Sequence, residues 1–313
     1  MLDLISVGEM VIDFLPGEGE GMYIRKAGGA PANAAIAAAR NGLRVGFCGR
    51  VGDDDFGRFL FDTLRNNRVE VLCPELVGQA VTTMAFVTLR EDGERSFTFA
   101  RKPGADMFLT EADVERAGRA KMVHAGSCSL SKPPASAATA HALALGAQNG
   151  SLVSFDVNYR DLLWDGDRAA ALRAVAGILP YVDLLKISEE ETDFVGGEAN
   201  IFACMEQNGI AVVVETLGAK GARCFWQGQT IEVEGIPTVC VDATGAGDAF
   251  WGGFLAALLR EGAVQTGLFT AELLRRAMVT GNLAGRLCVQ TKGAIESLPT
   301  WAQIEALRKE LEL

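Results

Sequence analysis

The sequence predicts an α/β protein built on a mostly parallel sheet with helices on both faces, accompanied by a smaller, separate β-sheet. Three observations carry this. From Lys121 onward, apolar strands near Met122–Ala125, Leu152–Phe155, Leu184–Ile187 and Ala211–Glu215 alternate with helical stretches of about 10 to 15 residues, the pattern of βαβ units. These strands are continuous apolar runs, as expected where helices cover both faces of a sheet. Residues Val81 to Ala100 break the pattern: Thr83, Ala85 and Val87 before the EDGE turn (Glu91 to Glu94), and Phe97 and Phe99 after it, alternate as in a hairpin with one apolar face.

In chain order, Leu4 to Val7 reads as a central strand ending at Gly8. Asp13, in GEMVIDFLP, lies just beyond that strand, where it either holds sugar hydroxyls or faces water. The stretch Ala27 to Gly42 has a Gly28-Gly29 pair that permits close approach to a ligand, Pro31 for a first helical turn, Asn33 facing the same way, and a close at Asn41-Gly42. This arrangement favours a polyol site over a dinucleotide site. Arg44 to Cys48 is a strand, and Asp53, Asp54 and Asp55 read as capping and dipole residues of the next helix rather than a metal cluster. Together with about Phe14 to Lys26, the hairpin forms a small sheet that has to cover a site or a second subunit. Arg101 and Asp106 mark its return to the core. The tail runs from Gly293 to Pro299 into a charged amphipathic helix from Trp301.

Composition narrows the function. The chain has 313 residues, 49% of them apolar, and a net charge of −11, which argues against nucleic acid or an anionic membrane as partner. It has neither a membrane-length apolar run nor a signal peptide, so a cytoplasmic protein is expected. The seven cysteines are scattered singly and read as small core residues. Only His124 and His141 are available for histidine chemistry, and both have a bland structural reading, so catalysis falls to carboxylates.

The stretch Val241 to Phe250, VDATGAGDAF, is read as an apolar strand, a glycine-rich turn and an amphipathic helix. Gly245, Ala246 and Gly247 let a ligand approach, the helix start offers unpaired N–H groups to an anion, and Asp248 at its mouth can accept a proton from an attacking hydroxyl. Taken alone, GAGD is equally a helix N-cap. Polar residues follow successive strands, where an open α/β sheet binds its ligands: Asp156, Asn158 and Arg160; Lys186, Ser188 and Glu191; Thr216 and Gly218; and Asp242 to Asp248. Their recurrence points to a catalytic cleft.

With these segments in view, the chain resembles the ribokinase-like sugar kinases of the PfkB family over almost its whole length. The glycine-pair motif at Ala27 to Gly42 and the DxxGAGDxF motif at Asp242 to Phe250 carry the resemblance. Within that family, GEMVIDFLP, GGAPANAA, the turn at Arg101 to Asp106 and the strand end at Lys186 to Glu191 are similar to fructokinase segments.

The resemblance implies a single domain over residues 1–313: a three-layer α/β/α sandwich with a small β-sheet lid, formed by about 14–28 and 81–103, through which two copies dimerise. It implies ATP-dependent phosphorylation of the primary hydroxyl of fructose, with Asp248 as general base and the amides of Gly245, Ala246 and Gly247 holding the phosphoryl group. Asp13, Gly28, Gly29, Asn33 and Arg101, with Asn158 and Arg160 as further candidates, would bind sugar or phosphate. Lys186, Thr216, Gly218 and Gly221 would serve the nucleotide. Glu191 would place Mg²⁺ through water, and Asp242, Thr244, Gly293 and Ser297 would hold a monovalent cation, commonly K⁺. Ser188, where many relatives carry Asn, and Ala243, where many carry Thr, are departures that leave Asp248 in place. The same chemistry on 2-keto-3-deoxygluconate or aminoimidazole riboside is an alternative, and a non-catalytic sugar-binding regulator is a remote one.

Overall fold

The computed structural model describes residues 1–19, 21–89 and 95–313. The turn at Glu91–Glu94 and the side chain of Phe97, both part of the hairpin expectation, lie outside them. Strands β1 (Leu2–Val7), β2 (Val11–Pro16), β3 (Tyr23–Gly28), β4 (Val45–Cys48), β5 (Val69–Val71), β6 (Met84–Leu89), β7 (Arg95–Ala100), β8 (Ala120–Gly126), β9 (Leu152–Asp156), β10 (Leu184–Ser188), β11 (Val212–Thr216), β12 (Gly221–Trp226) and β13 (Gln229–Glu234) follow in chain order. Among the described residues they make a nine-stranded sheet, ordered β13-β12-β11-β10-β9-β8-β1-β4-β5, and a four-stranded one, ordered β3-β2-β6-β7.

The large sheet is parallel from β11 through β5, as the apolar runs require. Its two edge strands beyond β11 are antiparallel, a pair that went unread in the sequence. The period of two decides the layering. Leu4, Met122, Leu152, Leu184 and Val212 enter one apolar cluster, while their successors Ile5, Val123, Val153, Leu185 and Val213 enter another on the opposite face. Helices α1 (Ala30–Arg40), α2 (Asp55–Asn66), α3 (Ala135–Gln148), α4 (Arg168–Ile178), α5 (Ile201–Asn208), α6 (Ala246–Arg260), α7 (Ala271–Cys288), α8 (Ala294–Ser297) and α9 (Trp301–Glu310) complete the chain. Residues of α1, α6 and α7 fill the first cluster, and residues of α3, α4 and α5 fill the second, giving three layers.

Three local readings change. The stretch before GAGD is not a buried strand: Val239 is 79% exposed and Val241 51%, and the Val241 and Asp242 N–H groups bond the Val289 carbonyl at the end of α7 rather than a neighbouring strand. The helix after it is not amphipathic. Every residue of α6 from Ala249 to Leu259 is buried, since the helix lies between α1 and α7. Each large apolar side chain it removes from water, such as Trp251 or Phe254, is worth about 1.5–3 kcal/mol. Asp13 does not follow a core strand into solvent but lies within β2 of the small sheet.

That sheet is fixed to the body by aromatic contacts. Phe14 stacks on Phe86 at 4.8 Å and meets Phe56 of α2 edge-on at 5.7 Å, while the Arg25 guanidinium lies 3.9 Å from the centre of the Phe59 ring. The acidic run behaves as read: Asp54 caps α2 by accepting from the Gly57 N–H at 2.7 Å, and Asp53 pairs with Arg58. Among the described residues, no helix is long and apolar enough to cross a membrane.

Candidate active site

The site begins with two helices that pack unusually close. Helix α1 is rich in alanine, and Gly252 of α6 leaves so little room that a Cβ there would stand 2.4 Å from Ala37 Cβ. One turn earlier on the same faces, Asn33 of α1 and Asp248 of α6 therefore meet: Asn33 Nδ2 donates to Asp248 Oδ2 at 2.8 Å. Gly245 precedes α6 at φ 79°, a left-handed conformation in which a side chain would also press on Ala294 at 3.0 Å. It turns the chain into α6, whose first N–H groups have no partner within the helix, although the Ala246 N–H turns back on the Ala243 carbonyl at 3.2 Å.

Asp248 borders a cavity of about 350 Å³ between the large sheet's strand ends and the small sheet. Asp13, Gly29, Asn33, Asn158, Arg160, Thr244 and Gly245, all expected in the site, line it with Asp248. Besides Gly29 lining the cavity, the glycine pair serves packing. A Cβ on Gly28 would lie 2.1 Å from Asp13 Oδ2, and one on Gly29 would lie 2.6 Å from the Glu9 carbonyl. The pair makes room for the Glu9–Asp13 segment, which then faces the cavity.

Burial and crowded acids set the electrostatics. Burial pushes Asp248 up to about 6; the Asn33 hydrogen bond, Lys186 and Arg160 oppose the rise, and Asp156 adds to it. Burial, then the Asp248 charge, pushes Asp13 up to about 7. Behind Asp248, Lys186 Nζ is buried and donates to both Asp156 oxygens at 2.8 and 2.9 Å. Lys186 therefore lies beneath the start of α6, 3.5 Å from where a Gly247 Cβ would stand, and does not line the cavity.

The remaining expected residues fall into separate groups. The Arg101 guanidinium is committed to Asp106 at 2.6 and 2.9 Å and to Ser131 Oγ at 3.2 Å, and it does not line the cavity. Glu191 accepts from the Tyr159 N–H at 2.6 Å and the Ser188 N–H at 2.9 Å, so it fastens the turn carrying Asn158 and Arg160 to the end of β10. Thr216 and Gly218 lie at the end of β11 and in the turn after it, away from the cavity lining, and Gly218 faces open space. Gly221 opens β12, where a Cβ would strike the Val233 carbonyl at 2.1 Å, so its glycine serves strand pairing.

Asp242, Thr244, Gly293 and Ser297 do come together. Asp242 accepts from the Thr244 N–H at 2.9 Å and the Gly293 N–H at 3.0 Å, and Ser297 Oγ donates to the carbonyls of Gly293 at 2.6 Å and Ala294 at 2.8 Å. His124 is a core residue: its Nδ1 is 3.0 Å from Ser154 Oγ, which also accepts from Trp251 Nε1, and burial lowers it to about 3.

Several lining residues escaped the sequence reading, among them Glu9, Phe99, Cys128, Asp161 and Leu163. Glu9 had a signal, an acid directly after the glycine that ends β1. Cys128 had none, since a cysteine after an apolar strand reads as core.

A family model for pfkB family carbohydrate kinases matches residues 1–301. Fructokinase-2 of Zea mays is 37% identical over 97% of this chain and 93% of its own. The fructokinase of Xylella fastidiosa, solved with bound ATP, superposes with a TM-score of 0.90 at 29% identity, covering 99% of both chains. The fructokinase of Vibrio cholerae, solved with fructose, ADP and calcium, superposes with a TM-score of 0.87 at 34% identity, covering 98% of both. An acid at an amide-lined helix start, its partner asparagine and a match across the chain lead to one conclusion: the chain belongs to the pfkB family of carbohydrate kinases and is an ATP-dependent sugar kinase.

Proposed function

We propose that this kinase transfers the γ-phosphoryl group of ATP to the primary hydroxyl of fructose, with Asp248 as general base. The observation that carries the reading is a half-buried carboxylate, pushed up to about 6, between the start of α6 and the cavity. At neutral pH most of its population is ionised and can take the hydroxyl proton as the hydroxyl oxygen bonds to phosphorus and the bond to the ADP oxygen breaks. The amides of Gly245, Ala246 and Gly247 stabilise the charge on the phosphoryl oxygens. Asp13, Gly29, Asn33, Asn158 and Arg160 hold the sugar, with Gly28 keeping Asp13 in place and Arg101 acting from behind. Lys186 supports the phosphate site from below, and Thr216, Gly218 and Gly221 border the nucleotide. Structures of fructokinases with ATP, or with fructose and ADP, support this choice of substrates.

The ions fit in different ways. Glu191 is buried, with both oxygens taking backbone N–H groups, and among the described residues no cluster of acids could hold a metal alone. When bound with ATP, Mg²⁺ would supply neutralisation of the developing charge, and Glu191 would be the residue that orders its water. Asp242 and Ser297, both buried, and the Thr244 and Gly293 backbone offer hard oxygen donors behind the anion hole, which suits K⁺. The small sheet acts as a lid within a single domain. Its edge strand β3 exposes Tyr23 and Ile24 beside Met22, an apolar edge that pairing with a second copy would cover. Five buried free thiols suit a reducing compartment, so we place the enzyme in the cytoplasm.

ADP release with Mg²⁺-ATP and K⁺ across fructose, ribose, aminoimidazole riboside and 2-keto-3-deoxygluconate tests the acceptor. Fructose is expected to give the highest kcat/KM. Asp248→Asn should lower kcat by several orders of magnitude with ATP binding retained; full activity in that variant would overturn the base assignment.

A further inference from the structure

Within the cavity, Glu9 has no role in the steps just described. It stands in the turn between β1 and β2, is 4% exposed, and its Oε2 is buried without a hydrogen-bond partner. Leaving such an acceptor unsatisfied costs about 1–3 kcal/mol, more when it is charged. The nearby cation does not relieve it directly, because the Arg101 guanidinium is bound to Asp106 and Ser131. Across the cavity Asn33 repeats the pattern: its Nδ2 is spent on Asp248 while its Oδ1 is buried and unpartnered. Two orphaned acceptors lining one cavity fit an occupant that brings donors of its own.

We propose that Glu9 is a sugar-binding, specificity-determining residue, whose carboxyl receives a hydroxyl of the acceptor other than the one phosphorylated. This rests on the reading of the cavity as the acceptor site. Burial, reinforced by Asp106 and Asp248, pushes Glu9 up to about 7, so near neutral pH it can both accept from and donate to a hydroxyl. Among the described lining residues, the acids are Glu9, Asp13, Asp161 and Asp248, with Arg160 as the cationic side chain. An acceptor carrying its own carboxylate would add a further negative charge to that group. The pocket therefore selects neutral polyols over sugar acids.

The test is ADP release by the full-length protein and its Glu9→Ala and Glu9→Gln variants, with fructose and each of its monodeoxy analogues that keep the phosphorylated hydroxyl. Glu9→Ala should raise the KM for fructose about ten- to a hundred-fold, the loss of one buried hydrogen bond, with the KM for ATP changed less than about two-fold. One deoxy analogue should be poor with the wild type and no poorer with Glu9→Ala, because the partner of Glu9 is already missing. An equal penalty on every analogue, or equal changes in the KM for sugar and ATP, would assign Glu9 to structure alone and overturn the proposal. Glu9→Gln keeps the volume and carries the same comparison should the alanine variant unfold. If another acceptor proves better than fructose, the fructose assignment fails while Glu9 is judged on the deoxy analogues of that acceptor. A wild type that phosphorylates no acceptor overturns both readings.

Discussion

Replacing Asn33 by leucine should move the pH profile of the enzyme as well as lower it. The amide donates to Asp248 at 2.8 Å and is the largest influence holding that carboxyl down against its burial. A hydrogen bond to a charged group is worth about 1.5–3 kcal/mol, and one pKa unit corresponds to about 1.4 kcal/mol, so removing the donor should raise Asp248 by about one to two units. Starting from about 6, where about 90% of the base is ionised at pH 7, a rise of ~1.5 units leaves about a quarter ionised. Activity at pH 7 should fall about four-fold from titration alone and return near pH 9. Leucine also removes the orphaned Oδ1, which lowers the whole profile without moving its acidic limb. The assay is kcat/KM for the sugar by coupled ADP release from pH 5 to pH 9.5. If the limb stays in place while activity drops evenly, Asn33 is a sugar ligand only and the titrating group is not Asp248.

Other perturbations follow from the same geometry. Lys186→Met strands Asp156 as an unpaired buried charge and should cost about 3–5 kcal/mol in urea unfolding, whereas adding Asp156→Asn should restore most of it; a mild single variant would show that the pair contributes little. Asp13 is about 7 in the folded chain and ~3.9 when unfolded, so the native state binds the extra proton between those values and this group's contribution to stability falls as pH rises through the window. Asp13→Asn should therefore stabilise the protein on the order of a few kcal/mol at pH 8 and hardly at all at pH 4, read from denaturant midpoints; equal effects at both would contradict the shift. Ile24→Lys on the exposed edge of β3 should turn a dimer into a monomer in light scattering, and a wild type that is monomeric at micromolar concentration would remove the dimer.

Much of this molecule was legible in the linear chain because its signals are local. Apolar runs such as Leu152–Phe155 mark strands buried on both faces, and the alternation of strands with helices requires parallel pairing. The GAGD turn announces a helix start with an acid in its first turn, which is where Asp248 stands. The antiparallel pair β12 and β13 was missed because β12, GARCFW, opens on a glycine and carries an arginine among its buried residues, and the edge strand β13 exposes most of its residues. The strand expected before GAGD failed because an apolar run in sequence cannot say what its backbone will bond: Val241 and Asp242 bond the Val289 carbonyl at the end of α7, outside any sheet.

Tertiary structure decided the rest. Asp13 reads as solvent-facing or ligand-facing until β2 is seen beside β3 and β6, which turns it toward the cavity. The glycines at Gly28 and Gly29 proved necessary for packing against Glu9–Asp13, a contact between segments more than a dozen residues apart. Cys128 became visible only as lining, and the signal at Glu9 gained its meaning only there, because an unsatisfied buried oxygen is a property of the packed chain and of no single stretch. The sequence alone determined the layers and the acid in the first turn of α6. Which acids, glycines and turns share one cavity depended on how closely α1 packs against α6, and that is set by the absence of a side chain at Gly252.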